Sequence, residues 1–279
     1  MRKNIFRRAR AALLGAAAIA LMAPATTASA ADVPEATLAA GDKLMPGQSL
    51  KAGEAALVMQ ADGNLVLRLE GPTGARGPEL WATGTWGNPG AYAFMQPDGN
   101  LVVYRQGSTS QSDALWSTGT WGDPGARLML GLGSLTVGGQ SKHWASGTGL
   151  YRATCAGGTT PGSCIAPNNP GMNPGHWIQS KSVWLVNQQD GNLVLYRKRD
   201  GAALWSSGTW NRPGAVLFVQ DSTTFTGVLH LSNPYTGKIT WSTPATGRPG
   251  AYAVVQDDGN FVAYSNGTAL WSTGTWGNW

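Results

Sequence analysis

Little of what an enzyme or a nucleic-acid binder needs is present in this chain. Its 279 residues include two cysteines and three histidines. The histidines, His143, His176 and His230, are scattered without metal-ligand spacing. Two cysteines without a neighbouring histidine cannot complete a zinc site. No metal and no cofactor is therefore expected. Neither a nucleophile elbow nor a Gly-rich phosphate loop occurs. Only 13% of the residues are charged, and no stretch keeps a helical period. Long apolar runs are missing apart from Ala11 to Ala23, which is too short to span a bilayer, so no membrane insertion is expected.

That one run follows a basic head of Arg2, Lys3, Arg7, Arg8 and Arg10 and precedes Ala28-Ser29-Ala30. The pattern is that of a secretory signal peptide over residues 1–30, cleaved near Ala30. A secreted protein is expected, with the Arg7-Arg8 pair leaving both the Sec and the twin-arginine route open. Five of the twenty Lys and Arg fall in this segment, which leaves fifteen against fifteen acids in the remainder. The formal charge of +5 thus belongs to the leader. With no net charge and no basic stripe afterwards, nucleic acid is not an expected partner. Cys155 and Cys164, close together in an exported chain, are expected to form a disulfide.

What the chain does have is glycine (39), tryptophan (13) and repetition. Short apolar alternations between Gly, Pro, Asn and Asp predict an all-β protein rich in turns. Four segments match: Gln60 to Arg68, Gln96 to Tyr104, Gln188 to Tyr196 and Gln256 to Tyr264, each with Asp-Gly-Asn inside. Each is trailed by Leu-Trp-Ala/Ser-Thr/Ser-Gly-Thr-Trp, ending at Trp86, Trp121, Trp210 and Trp276. Two degraded units, Gly131 to Val137 and Gln220 to Leu231, lack the Asp and Asn and are expected to bind nothing. The six units divide three and three. Pro46-Gly47 and Pro174-Gly175 each stand fourteen residues before a Gln, at 60 and 188, so each triplet begins alike. We read a first domain over 31–149, a Gly/Pro-rich linker holding the disulfide over 150–172, and a second domain over 173–279.

Alternate residues of a strand face one side, which groups Gln96, Asp98, Asn100, Val102 and Tyr104 and sends Leu101 and Val103 to the core. A carboxylate acceptor, two amides, a phenol and a methyl-bearing wall are what a sugar ring with vicinal hydroxyls requires. Asp-Gly-Asn is also a common turn. Turn chemistry needs neither the Gln nor the Tyr, and both recur, so the site reading is preferred. Trp81, Trp116, Trp144, Trp205, Trp241 and Trp271 occur once in every unit, degraded ones included, and are expected to meet as packing at a threefold axis. Trp177 and Trp279 have no place in that scheme. Glycoside hydrolysis would need paired carboxylates. Each motif supplies one, with Asp257 facing away from Asp258, so no enzyme is expected. Asn266-Gly-Thr268 is a glycosylation sequon too short to weigh.

These residues resemble the motif Gln-x-Asp-x-Asn-x-Val-x-Tyr of the monocot mannose-binding lectins, also called bulb-type or snowdrop-like lectins. The resemblance implies two tandem β-prism II domains, each with three four-stranded sheets around a pseudo-threefold axis, and metal-free mannose binding. It implies that Asp98, Asn100 and Gln96 hold the O2 and O3 hydroxyls, that Tyr104 bonds O4 and that Val102 packs on the ring carbons. The same roles fall to Gln188, Asp190, Asn192, Val194 and Tyr196, and to Gln256, Asp258, Asn260, Val262 and Tyr264. A sugar without the axial O2 would leave polar partners unpaired, at a cost of roughly 1–3 kcal/mol. Arg68 in place of tyrosine makes Gln60, Asp62, Asn64 and Val66 a weak or altered site.

The expected partners are mannose-containing glycans or cell-surface polysaccharide. The alternative is a lectin-like bacteriocin, which shares this two-domain plan and kills related bacteria after binding surface polysaccharide. A third, adhesive reading lacks a cell-wall anchor motif or lipobox cysteine. Because the last strand is often exchanged in this family, Leu270 to Trp279 is expected to complete a sheet of the first domain or of a partner in a homodimer.

Overall fold

The computed structural model describes residues 35–153, 155, 162–167, 170–221, 228–244 and 249–279, all within one compact unit, Val33–Trp279. The leader over 1–30 lies outside the described residues.

The described residues form six sheets, antiparallel but for one edge pair, and one short 3₁₀ turn, Gln111–Asp113. The first sheet orders Ser49–Ala52, Ala55–Met59, Leu65–Glu70 and Arg76–Ala82. The second orders Lys43–Leu44, Tyr92–Met95, Leu101–Tyr104 and Ala114–Ser117. The third orders Glu35–Leu38, Arg127–Gly131, Ser134–Gly138 and His143–Ala145. Each sheet is thus a three-strand meander whose fourth strand comes from the N-terminal stretch 35–52.

The second triplet departs from the expected three-by-four count. Its fourth sheet has five strands: Gly149–Leu150, His176–Gln179, Val183–Asn187, Leu193–Arg197 and Ala203–Ser206, the first pair running parallel. The fifth sheet has three, Val216–Val219, Leu229–Ser232 and Ile239–Ser242, with Met172 bridging Leu217 at its edge. The sixth orders Cys164–Ile165, Ala251–Val255, Phe261–Ser265 and Thr268–Ser272.

Two expectations are corrected here. The stretch 150–172 does more than link: Cys164–Ile165 and Met172 repeat the edge pairings that Thr37–Leu38 and Leu44 make in the first triplet. The Cys155–Cys164 disulfide is formed and ties the incoming chain to that edge strand. The C-terminal strand is not exchanged with the first triplet. Thr268–Ser272 pairs with Phe261–Ser265 of its own sheet, as Val262↔Ser272 and Ser265↔Thr268.

Alternation sends one set of residues of each strand inward. Leu57, Met59, Leu65, Leu67, Leu101 and Val103 fill the first core, and Leu185, Leu193, Leu195, Phe261 and Ala263 the second. Trp81, Trp116 and Trp144 meet edge-to-face at 5.3–5.5 Å, and Trp205, Trp241 and Trp271 at 5.5–5.6 Å. One indole per sheet therefore closes each triplet on its axis, half-buried and in the geometry that aromatic quadrupoles favour. Burial of the same three-strand hairpin pattern three times over builds the prism.

The triplets are bonded to each other. Trp184, fully buried, donates its indole N–H to Glu54 Oε2 at 2.6 Å. Glu54 Oε1 accepts from Lys198 Nζ at 2.8 Å, and Lys198 also reaches Gln179 Oε1 at 2.6 Å. Burial pushes the Lys198 ammonium below its usual range while Glu54 opposes that shift. Trp177, unplaced from sequence, is buried against the first core.

Candidate functional site

The five motif residues do not lie on one strand. In the second sheet only Leu101–Tyr104 is strand, and Gln96 to Asn100 form the turn that enters it from Tyr92–Met95. The Gln96 amide donates to Asn100 O at 2.9 Å, and Asn100 N to Asp98 Oδ1 at 3.1 Å, an Asx turn. Gly99 sits at φ +93°, and a Cβ there would lie 2.2 Å from Asp123 O, so both conformation and space demand glycine. The turn reading weighed against the site reading is thus geometrically right, and the turn is what gathers these side chains.

Each side chain then spends part of its capacity on the scaffold. Asn100 Oδ1 accepts from Thr118 Oγ1 at 3.0 Å and from Thr120 N at 3.2 Å. Gln96 Nε2 donates to Tyr104 Oη at 3.0 Å, which leaves the phenol proton to donate elsewhere. Among the described residues no protein partner takes Asp98 Oδ2, Asn100 Nδ2 or Gln96 Oε1. What remains is two acceptors and two donors beside the Val102 methyls, in a cavity of about 720 Å³. Tyr104 occupies a register shift in the pairing with Ala114–Ser117, a bulge that re-aims the side chain.

The network repeats with little change. Gln188 Nε2 donates to Tyr196 Oη and Gln256 Nε2 to Tyr264 Oη, both at 2.8 Å. Asn192 N reaches Asp190 Oδ1, and Asn260 N reaches Asp258 Oδ1, each at 2.9 Å. Asn192 Oδ1 accepts from Ser207 at 3.1 Å, and Asn260 Oδ1 from Thr273 at 2.9 Å. Val194 and Val262 are buried at the place of Val102, and Tyr196 and Tyr264 also sit at register shifts. Burial foremost, with the Asp190 charge, raises the Tyr196 hydroxyl above its usual range against the pull of Gln188, so it stays a donor.

The first sheet keeps the turn but not the network. Asn64 N donates to Asp62 Oδ1 at 3.0 Å, and Thr83 Oγ1 to Asn64 Oδ1 at 3.1 Å, with Val66 buried alongside. Arg68 turns instead to Glu70 Oε1 at 2.8 Å. Gln60 Nε2, deprived of a phenol, is buried without a partner. In the third sheet Gly138 stands at the tyrosine position and the pairing runs without a bulge. In the fifth, His230 takes the valine position, stacked on Phe218, and Ser232 the tyrosine position; residues 222–227 of its turn lie outside the described residues.

Sequence reasoning missed part of the wall. Thr109 and Gln111 from the long loop after Tyr104, and Trp121, line the same cavity as Asp98 and Asn100. The signal for Trp121 was present as the last residue of the trailing Thr-Gly-Thr-Trp signature. Among the described residues no group of three or more His, Cys, Asp or Glu is placed to hold a metal ion.

No family model matches the chain. A mannose-specific lectin of Narcissus tazetta is 44% identical over 69 residues, 24% of this chain and 45% of that protein. The chain spans about half the length of the curated relatives it matches. Among solved structures, a monomeric monocot mannose-binding lectin from Gastrodia elata is 32% identical, covering 41% of this chain and 97% of that one, with a TM-score of 0.33. A two-domain, fetuin-binding lectin from Scilla campanulata is 26% identical, covering 86% of this chain and 100% of that one, with a TM-score of 0.31. The fold is a β-prism II built twice. By its repeated motif, its architecture and its sequence relatives, the chain belongs to the bulb-type lectin family.

Proposed function

We propose that this protein is a secreted lectin that binds mannose-type sugars without metal through the sites of Asp98, Asp190 and Asp258. The observation that carries the reading is the threefold recurrence of one network. In each copy an Asx turn, a Thr- or Ser-anchored Asn and a Gln–Tyr pair leave the same donors and acceptors over a buried valine. Vicinal hydroxyls, each donor and acceptor at once, match such a set. The relatives in Narcissus are described as mannose-specific lectins, which supports the sugar class. The signal-peptide pattern over residues 1–30 supports export. The comparisons lend no support to the bactericidal alternative.

So few contacts per site imply millimolar affinity for a single sugar. Several sites on one body raise that by roughly 10²–10⁴ on a multivalent glycan. The test is a glycan array probed with the intact protein and with an Asp98→Asn, Asp190→Asn, Asp258→Asn variant. Asparagine keeps the Oδ1 acceptor that closes each turn, so the fold is preserved. Mannose-selective binding that disappears in the variant is expected; binding retained by the variant would overturn the site assignment.

A further inference from the structure

Ten of the thirteen tryptophans belong to the repeats, and they divide into two classes that the fold treats differently. The six axial ones occur in every unit. Trp86, Trp121, Trp210 and Trp276 occur only in the four units that carry Asp-Gly-Asn. In the third unit the equivalent place is Gly149, and in the fifth, by sequence, Thr246. Residues that follow the motif and not the fold belong with the site.

Their surroundings agree. Trp86, Trp121, Trp210 and Trp276 are 68%, 62%, 62% and 71% exposed, whereas among the other described large apolar side chains only Met45, Tyr235, Ile239 and Trp279 are exposed. Leaving an indole in water forfeits the favourable burial of its apolar area, so packing does not explain the position. The backbone beside each is nonetheless held firmly. The preceding threonine, Thr120 in the second unit, donates through Oγ1 to Gly99 O at 2.7 Å and through N to Asn100 Oδ1. The same pair of bonds recurs in the other three units. The threonine alone survives in the third unit, where Thr148 reaches Gly133 O at 2.6 Å without any tryptophan following it. The anchor is therefore part of the scaffold, and the indole is added to it where the Asp-Gly-Asn turn exists. In the second unit Trp121 walls the cavity together with Asp98 and Asn100. One of its faces is taken by Lys142 Nζ at 4.1 Å from the ring centroid, leaving the other for a ligand.

We propose that these four tryptophans are aromatic subsites. Each receives the C–H face of a second pyranose linked to the sugar held by the adjacent Asp and Asn. The negative π-face of an indole attracts the electropositive C–H groups of a sugar as it attracts other positive edges. The subsites rest on the sugar-site reading above, and they add selectivity for linked sugars over single ones.

The test compares the intact chain with a Trp86→Ala, Trp121→Ala, Trp210→Ala, Trp276→Ala variant, titrated with methyl mannoside and with a linear mannotriose. Intact protein is expected to favour the trisaccharide by roughly tenfold, a gain of the size one aromatic contact supplies. In the variant that preference should collapse, the loss of trisaccharide affinity exceeding any loss for methyl mannoside by roughly tenfold. A parallel set of Trp→Phe changes, which keeps a ring at each place, should restore most of the preference and guards against misfolding. Intact protein that binds both sugars equally, or a variant that keeps the preference, would overturn the subsites and leave the lectin reading standing. Intact protein that binds neither sugar would sink the lectin reading and the subsites with it. Loss of adsorption to phosphatidylcholine vesicles in the Ala variant, with its sugar preference intact, would reassign the indoles to a lipid surface.

Discussion

In the second sheet the turn Gln96–Asn100 feeds a strand that bulges at Tyr104; in the third, a shorter turn feeds Ser134–Gly138, which pairs straight through to His143. Both sheets supply one indole to the same axis, Trp116 and Trp144. Both tie the strand entry to a hydroxyl, Leu101 N to Thr118 Oγ1 and Leu135 N to Ser146 Oγ, each at 3.1 Å. Both lodge a threonine on the turn carbonyl, Gly99 O or Gly133 O. The third sheet lacks the Asp, the Asn, the Tyr and the exposed Trp, yet it folds alike. Scaffold and site are therefore carried by separate residues of one short sequence, and each can decay without the other.

The comparison can be broken hardest at the axis. Trp116→Ala should cost about 3–5 kcal/mol, as large-to-small changes at packed aromatic positions do, and Trp144→Ala should cost a similar amount despite belonging to the degraded sheet. Thermal or denaturant unfolding of the two variants checks this. A harmless Trp144→Ala would mean the third sheet is not held as the second is.

At the sites, Asp190→Asn should weaken mannoside binding by about 1–3 kcal/mol for its own unit and leave stability within about 0.5 kcal/mol. Isothermal titration beside calorimetric unfolding separates the two. Gly99→Ala is sharper still, because it strikes a turn on which scaffold and site both depend. With φ at +93° and Asp123 O in the way, it should cost about 1–3 kcal/mol of stability and abolish binding at that unit. The converse change, Gly138→Tyr, should add no binding, since the third sheet has neither the Asx turn nor the bulge to aim a phenol. Sugar binding gained by that single change, read by saturation-transfer NMR, would show that a phenol alone suffices without the turn and the bulge.

The smallest effect is acidic. Arg197 foremost holds Asp200 down to about 2, backbone donors from Lys142 and Ser141 hold Asp123 below its usual range, and Lys181 does the same for Asp257. For carboxylates depressed in the folded state, the stabilisation is complete above the unfolded value near 4 and drains away as pH falls towards 2. The melting temperature should therefore decline on acidification. The first decline comes below about pH 6.5, where burial holds His176 and His230 below their usual range while the unfolded chain takes up protons. A further decline comes below about pH 4 as the carboxylates lose their pairings. A rise on acidification would contradict these pairings.

Much of this was legible because it is repeated. The axial tryptophans announced themselves by recurring in degraded units, and the Gln, Asp, Asn and Tyr by recurring together. What sequence concealed is what occurs in short or unpatterned pieces. Cys164–Ile165 and Met172 are edge pairings of one or two residues, too brief to show alternation, and they looked like linker. The last strand, expected to be exchanged, is retained because Thr268–Ser272 follows Phe261–Ser265 by a two-residue turn at Asn266-Gly267, which favours local hairpin closure. The division of Gln96 to Tyr104 into turn and strand was invisible to a period-two reading, which assigns faces but not where pairing begins. The Glu54–Lys198–Trp184 cluster joins Glu54 to residues 130 and 144 positions away in sequence and has no local signature.

The most direct measurement is a two-dimensional NMR titration of the full chain with methyl mannoside, following the backbone amides of all described turns. Shifts confined to the turns of Asp98, Asp190 and Asp258, with a weaker response at Asp62 and none over Gly131 to Gly138 or at His230, are what the account predicts. Equal shifts at the third sheet, or none at the three matched turns, would contradict it.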